Sequence, residues 1–282
     1  MRPFGSKKIQ PAWSYNARGV IWHIHPAAGG TLVGEERRIE EKKAVFFCLD
    51  REKGQELWKH ASLGDAWWIG IEAVYRDTVL FHGFANPNLP QHRGIITVDV
   101  LTGKKLWEDQ ELEFVGVGDD SVVGSRETSA GHSLVELDRR SGQTRRELSR
   151  EDFHALNMSW SESEEEIRFP MPLDELARDS SQAGAAIAGQ YDSGTVAGPV
   201  EAMEEGEYVI FDYHELSGRG PAESPLFSSV VKVVERATGT VVYSDAVSSG
   251  VQSVIPDLFF VQHGMLYYIK DRRTLVAVRL VS

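Results

Sequence analysis

The stretch VDVLTGKKLW, Val98–Trp107, reads as the end of a β-strand, a tight turn and the start of a return strand closed by a tryptophan. Aligned on its acid and its glycine, the pattern recurs three more times: LDREKGQELW with Asp50, Gly54 and Trp58, LDRRSGQTRR with Asp138, Gly142 and Arg146, and VERATGTVVY with Glu235, Gly239 and Tyr243. The spacing is that of a hairpin. An acidic side chain ends one strand, glycine supplies the positive φ that the turn requires, and apolar residues resume with period two on the return.

Each copy follows an apolar strand (AVFFCL, IITVDV, SLVEL and SVVKVV), and further strand pairs stand upstream, as in AWWIGIEAVYRDTVLFHGF and EYVIFDYHEL. Four strands in a recurrence of about 45 residues predict an all-β chain folded as a β-propeller. The LD-x-x-T-G-x-x-LW pattern resembles the PQQ-like repeat of quinoprotein-type propellers, in which the outer-strand Trp packs between adjacent blades. Quinone-dependent enzymes of that kind are longer, are exported and often carry adjacent cysteines at a calcium and quinone site. This chain has one Cys and no export signal. The resemblance therefore implies the repeat of a bacterial propeller without the quinone site, and no cofactor.

The last strands, GMLYYIK and TLVAVRL, lead to the place where the next turn should come, and IQPAWSY offers Trp13 as the missing counterpart of Trp58 and Trp107. The expectation is a single domain over residues 1–282 with five four-stranded blades, the last closed by the N-terminal strand, which removes open sheet edges. Six blades with one degenerate is the alternative, because 97 residues separate Asp138 from Glu235. An irregular or partly helical insertion is placed at about 150–195. There HALNMSWSESEEEIRFPMP reads as a hairpin turning at Glu162–Glu166, and LDELARDSSQAGAAIAGQYDSG as a short helix and then a flexible Gly/Ala segment.

With 282 residues and 41% hydrophobic content the chain can bury a substantial core, and its formal charge of −12 argues against nucleic acid as a partner. No apolar run reaches the roughly 20 residues that span a bilayer, and no apolar stretch follows Lys7 and Lys8. A cytoplasmic protein without membrane contact is expected. The one cysteine, Cys48, sits in the apolar run AVFFCLD and reads as a core residue rather than a reactive thiol.

The residues that could carry chemistry are few. In WHIHP, His23 and His25 are two apart and share a strand face, so they could ligate a metal only with a third ligand from elsewhere in the fold; no metal site is assigned. In DYHEL, Asp212 and His214 share a face and read as a solvated strand end or an acid–base pair, and His82 in LFHGF holds the analogous place in the second blade. Both strands precede long connections, ANPNLPQHRG and SGRGPAESPLFSS, where function tends to sit. Of Trp67 and Trp68, adjacent on a strand, one should point inward and the other away. The run ESEEE, Glu162–Glu166, lacks the spacing of a calcium loop. No G-x-S-x-G, H-E-x-x-H or phosphate-binding glycine motif is present. The sequence thus points to a non-enzymatic scaffold that binds a protein or a small molecule. The alternative is a hydrolase or lyase working at the channel mouth with His23, His25, His82 or His214, with or without a metal.

Overall fold

The computed structural model describes residues 8–280 apart from 62, 87, 88, 130, 157 and 159–166. The turn of the hairpin expected over 154–172 falls on undescribed positions, Glu162–Glu166 among them, and its described ends do not pair with each other: His154 and Ala155 are helical, and Met171 and Pro172 pair with Ala202 and Glu201. The chain divides into two compact units, Arg18–Glu165 and the flanking Met1–Ala17 with Glu166–Ser282. The first strand, β1 (Pro11–Asn16), belongs to the flanking unit.

The central unit contains three sheets of four consecutive antiparallel strands. The first holds β2 (Val20–Ala27), β3 (Thr31–Arg38), β4 (Lys43–Asp50) and β5 (Glu56–His60). The second holds β6 (Ile69–Tyr75), β7 (Thr78–Phe84), β8 (His92–Asp99) and β9 (Lys105–Asp109), and the third β10 (Glu113–Val117), β11 (Ser121–Thr128), β12 (Gly131–Asp138) and β13 (Thr144–Leu148). The third strand of each sheet ends at a repeat acid, and the turn chemistry is the one the sequence predicts. The Gly54, Gly103 and Gly142 N–H groups donate to the carbonyls of Asp50, Asp99 and Asp138, and the three glycines have φ of 65°, 68° and 70°. The aspartate Oδ1 accepts from backbone N–H groups two or three residues on, as in Ser141 N to Asp138 at 2.8 Å and Thr102 N to Asp99 at 2.9 Å.

The repeat tryptophans join one sheet to the turn of the next. Trp58 on β5 donates its Nε1–H to the Val100 carbonyl at 2.7 Å, and a Cβ placed on Gly103 would lie 2.6 Å from its indole. Trp107 on β9 repeats the device, donating to the Arg139 carbonyl at 2.8 Å with Gly142 against its ring. Glycine is needed here twice over, for its φ and for the room it leaves. Between the first two sheets lies a core of Phe46, Cys48, Val74, Val79 and Phe81, with Phe46 and Phe81 edge to face at 4.6 Å. Cys48 is fully buried, and burial pushes its thiol up to about 12, so the core reading holds.

The flanking unit contains two sheets. One is ordered β1, β21 (Thr274–Arg279), β20 (Met265–Lys270), β19 (Phe259–Gln262), so the N-terminal strand does supply the outer strand beside the C-terminal one, with Trp13 opposite Ala277 and largely buried. The other is five-stranded: β14 (Met171–Pro172), β15 (Val196–Glu205), β16 (Tyr208–Arg219), β17 (Pro225–Glu235) and β18 (Val241–Val251). A four-stranded count for every sheet therefore needs correction by the short β14. The fourth repeat turn joins β17 to β18, with Gly239 at φ 67°. Its Tyr243 is buried, and its hydroxyl lies 2.6 Å from that of Tyr268, which donates to Asp245 at 2.7 Å.

The described residues of 150–195 hold more regular structure than their composition suggests. Helix α1 (Arg150–Ala155) starts on a Ser149 capping box, and α2 (Leu173–Asp179) leads into α3 (Ser181–Ile187). The Gly/Ala segment expected to be flexible is α3, whose Ala183, Ala186 and Ile187 are buried against Phe211, Val209 and Val234. Small residues let the helix lie close to the sheet. It also takes over a tryptophan's place: a Cβ on Gly239 would lie 2.9 Å from the Ala186 carbonyl, and Gln190 donates to the Gly239 carbonyl at 2.9 Å. The equivalent group on Gly103 is His60 Nε2, 2.6 Å from its carbonyl. Limited proteolysis should therefore spare residues 181–187; a first cut inside that segment, mapped by mass spectrometry, would contradict this packing. Among the described residues no helix is long and apolar enough to cross a membrane.

Candidate functional site: an aromatic groove beside a histidine cluster

The first strand of each sheet in the central unit carries an extra residue. The register of β2 on β3 shifts between Ile21 and His23, that of β6 on β7 between Ile71 and Ala73, and that of β10 on β11 between Phe114 and Gly116. The extra residues are Trp22, Glu72 and Val115. A bulge re-aims the side chain it carries. In the first two sheets this delivers an indole and a carboxylate to one neighbourhood.

Trp22, Ile39, Trp67, Trp68, Phe84 and Arg37 line a groove of about 410 Å³. Trp22 is 54% and Ile39 61% exposed. Trp67 and Trp68 precede β6 rather than lying on it: the Asp65 carboxylate accepts from both backbone N–H groups, at 2.8 and 2.7 Å, and turns the pair. The expected division into one inward and one outward indole therefore fails. A bend does not impose the alternation of a strand, and both rings face the groove.

The floor is pinned by charge. Arg37 donates through Nε to Glu35 at 2.6 Å, through Nη2 to the Ile69 carbonyl at 2.6 Å and through Nη1 to the Trp67 carbonyl at 2.5 Å, and its guanidinium lies 5.2 Å from the Trp67 ring centre. Burial works against ionisation of Glu35, but His23, Arg37 and the Ile71 N–H outweigh it and hold its carboxyl below the usual range. His23 and His25 do share a side, with ring centres 5.9 Å apart. Burial, with His23 adding to it, lowers His25 to about 4. His23 faces Glu35 across 3.7 Å.

Next to the groove is a second constellation. His82 on β7 and His92 at the start of β8 stack with ring centres 3.5 Å apart and planes within 6°. The Nδ1 of each lies 2.8 Å from the same oxygen, Glu72 Oε2. For His92 this is a hydrogen bond. His82 Nδ1 is buried and off the hydrogen-bond line. A Cβ on Gly70 would lie 3.0 Å from His82 Nε2, so glycine leaves room for that ring. Burial disfavours a charged Glu72, yet His82 and His92 together hold its carboxyl below the usual range. Phe84 stands edge-on to both imidazoles at 5.2 Å and also lines the groove.

Four of the six candidate residues, His23, His25, Trp67 and His82, therefore fall in one neighbourhood of the central unit. Asp212 and His214 belong to the other unit, and they are not a solvated strand end: they are 0% and 2% exposed. The connection after them is short, because β16 and β17 run through most of SGRGPAESPLFSS and leave a turn around Pro221–Glu223. His214 Nε2 accepts the Ile255 N–H at 3.1 Å, which assigns the ring proton to Nδ1. Burial lowers the His214 pKa, and burial with Glu201 and Asp257 nearby raises Asp212 to about 8. Glu72 and His92 escaped sequence reading because a bulge hides the first and the second sits in a stretch that reads as loop; Gly94, with φ 84° on β8, is the local mark of the irregularity.

A domain of unknown function, DUF4905, matches residues 27–107, a span that includes Glu35, Arg37, both groove tryptophans before β6, Glu72, His82 and His92. No curated protein matches the sequence. Among solved structures, the chain is similar to the Pseudomonas putida quinohemoprotein alcohol dehydrogenase at 13% identity and a TM-score of 0.31, covering 98% of this chain and 44% of that one. The β-propeller domain of the Trilobed protease from Pyrococcus furiosus is similar at 8% identity and a TM-score of 0.31, with 90% and 64% covered. The Myceliophteria thermophila Cps50 (Swd1) β-propeller domain gives 10% identity and 0.34, with 97% and 100% covered. The chain thus spans less than two thirds of the first two. Likenesses this distant transfer neither a cofactor nor an activity.

Proposed function

We propose that the five sheets are the blades of one β-propeller completed by the N-terminal strand, and that the protein is a non-enzymatic cytoplasmic scaffold which binds a partner protein in the aromatic groove. The observation that carries this reading is the clustering of Trp22, Ile39, Trp67, Trp68 and Phe84 around a pinned Arg37. Exposed hydrophobic residues scattered singly are ordinary, whereas a contiguous patch rimmed by polar groups marks a binding surface, and Trp and Arg are among the residues enriched as anchors in such surfaces. A groove in which Trp22 and Ile39 are more than half exposed suits an apolar side chain presented by a polypeptide better than an enclosed small molecule. The charge of −12 disfavours nucleic acid and anionic membrane surfaces as alternatives.

Peptides selected on the full chain from a random display library should carry aromatic or aliphatic anchors. Trp68→Ala should weaken their binding at least about tenfold while the melting midpoint stays within a few degrees of the parent. Peptides that bind parent and variant equally well would overturn the reading. The second reading, a hydrolase or lyase, draws on one observation, the convergence of His82 with Glu72 and His92. Asp212 and His214 take no part in it, since a substrate does not reach side chains so enclosed.

A further inference from the structure

We infer that Glu72, His82 and His92 form a binding site for one divalent transition-metal ion. The inference goes beyond the groove reading and stands without it. Among the described residues, this is the one place where three metal-ligating side chains offer ligand atoms within 4.8 Å of one another. Three features of the sequence and fold converge there. The extra residue at the β6 bulge is the carboxylate, the first residue of β8 is one imidazole, and the second imidazole stands on β7 between them, so three neighbouring strands each give one ligand. A second register shift, between Phe81 and Gly83 on the β7–β8 side, falls at His82 itself.

The donor set decides the class of ion. Two imidazole nitrogens and one carboxylate oxygen suit zinc, cobalt, nickel or ferrous iron, whereas calcium and magnesium take oxygen ligands. Of the two Nδ1 atoms set against Glu72 Oε2, that of His92 makes the hydrogen bond, and that of His82 is buried 2.8 Å away without one. A metal ion satisfies both nitrogens through their lone pairs and replaces that mismatch. Metal–ligand bonds of roughly 2.0–2.2 Å require the rings to fan out of their stack. His92, 41% exposed in its side chain, is the ring free to do so. Three protein ligands leave further coordination positions open, as in catalytic rather than structural sites. Phe84, touching both imidazoles, places the groove beside them. The His23 and His25 pair is a different matter: it has Glu35 on one side, but that carboxylate is already held by Arg37 and the Ile71 N–H.

The test uses the untagged full-length protein. Equilibrium dialysis against Zn2+ and Co2+, with metal counted by mass spectrometry, should give one equivalent, and Co2+ should show visible ligand-field absorption. Glu72→Gln and His92→Ala should each weaken uptake by at least about tenfold and abolish the absorption, with circular dichroism and melting showing both folded. His23→Ala should leave uptake unchanged. His82 is buried, so its substitution is not relied on. Uptake well below one equivalent by the parent, uptake by both cluster variants equal to the parent, or loss of uptake with His23→Ala would each overturn the assignment.

Discussion

Replacing Trp58 with Ala should lower the stability of the central unit by about 3–5 kcal/mol, the range for truncating a buried large aromatic. The indole is 8% exposed and fills the space between its own sheet and the turn of the next. The loss has two sources. Removing the ring opens a cavity against Gly103 and His60, whose ring lies 5.2 Å from the indole. It also strips the Val100 carbonyl of its donor at 2.7 Å. Urea unfolding followed by fluorescence of the remaining tryptophans measures the change; a loss below about 1 kcal/mol would mean that the indole is not what joins the sheets. Gly103→Val checks the same contact from the other side. Its φ of 68° disfavours a branched side chain, and the added Cβ would meet the indole at 2.6 Å. The part of its steric cost that comes from the indole should disappear in the Trp58→Ala background, while the approach to His60 Nε2 at 2.9 Å remains, leaving a coupling of roughly 0.5–3 kcal/mol between the two sites.

Asp212→Asn should stabilise the flanking unit by an amount that grows with pH, from about 1.5 kcal/mol at pH 5 to several kcal/mol at alkaline pH. Asp212 is fully buried, both its oxygens lack a partner among the described residues, and burial together with Glu201 and Asp257 raises its pKa to about 8. The folded state therefore keeps a proton that the unfolded chain releases near pH 4. A group raised in this way contributes stability that is full below its unfolded pKa and is lost as pH rises through the folded value. At about 1.4 kcal/mol per pH unit over about four units, the penalty above pH 8 has an upper bound of roughly 6 kcal/mol. Asparagine keeps the shape and stays neutral, so the variant loses this slope. His214, lowered by burial, acts at the other end: the fold weakens as pH falls below the ordinary imidazole value, equally in parent and variant. Urea midpoints at pH 5, 7 and 9 separate the two, and parallel curves for parent and variant would show that Asp212 is ionised in the folded protein.

What could be read along the chain is whatever depends on neighbours in sequence. The Asp50, Asp99, Asp138 and Glu235 turns belong to that class, because a carboxylate accepting from N–H groups two or three residues on, or in the case of Glu235 from the Thr238 hydroxyl, and a glycine at positive φ are short-range matters. So does the buried run of β4 around Cys48. The pairing of Trp13 with the C-terminal strand was legible for a different reason: a strand missing at one end of a repeat can be matched with a spare one at the other. Tertiary structure decided the rest. Alternation along Asp212–His214 indicates a shared face, but only the packed sheets determine whether that face is wet, and they put the pair inside; Trp67 and Trp68 sit on a bend, which alternation cannot describe. The Gly/Ala segment of α3 is weakly helical by itself and becomes a helix by closing on Phe211 and Gly239. Glu72, His82 and His92 came together through one extra residue in β6 and a register shift in β8, changes too small to disturb any sequence pattern yet large enough to turn a side chain toward its neighbours.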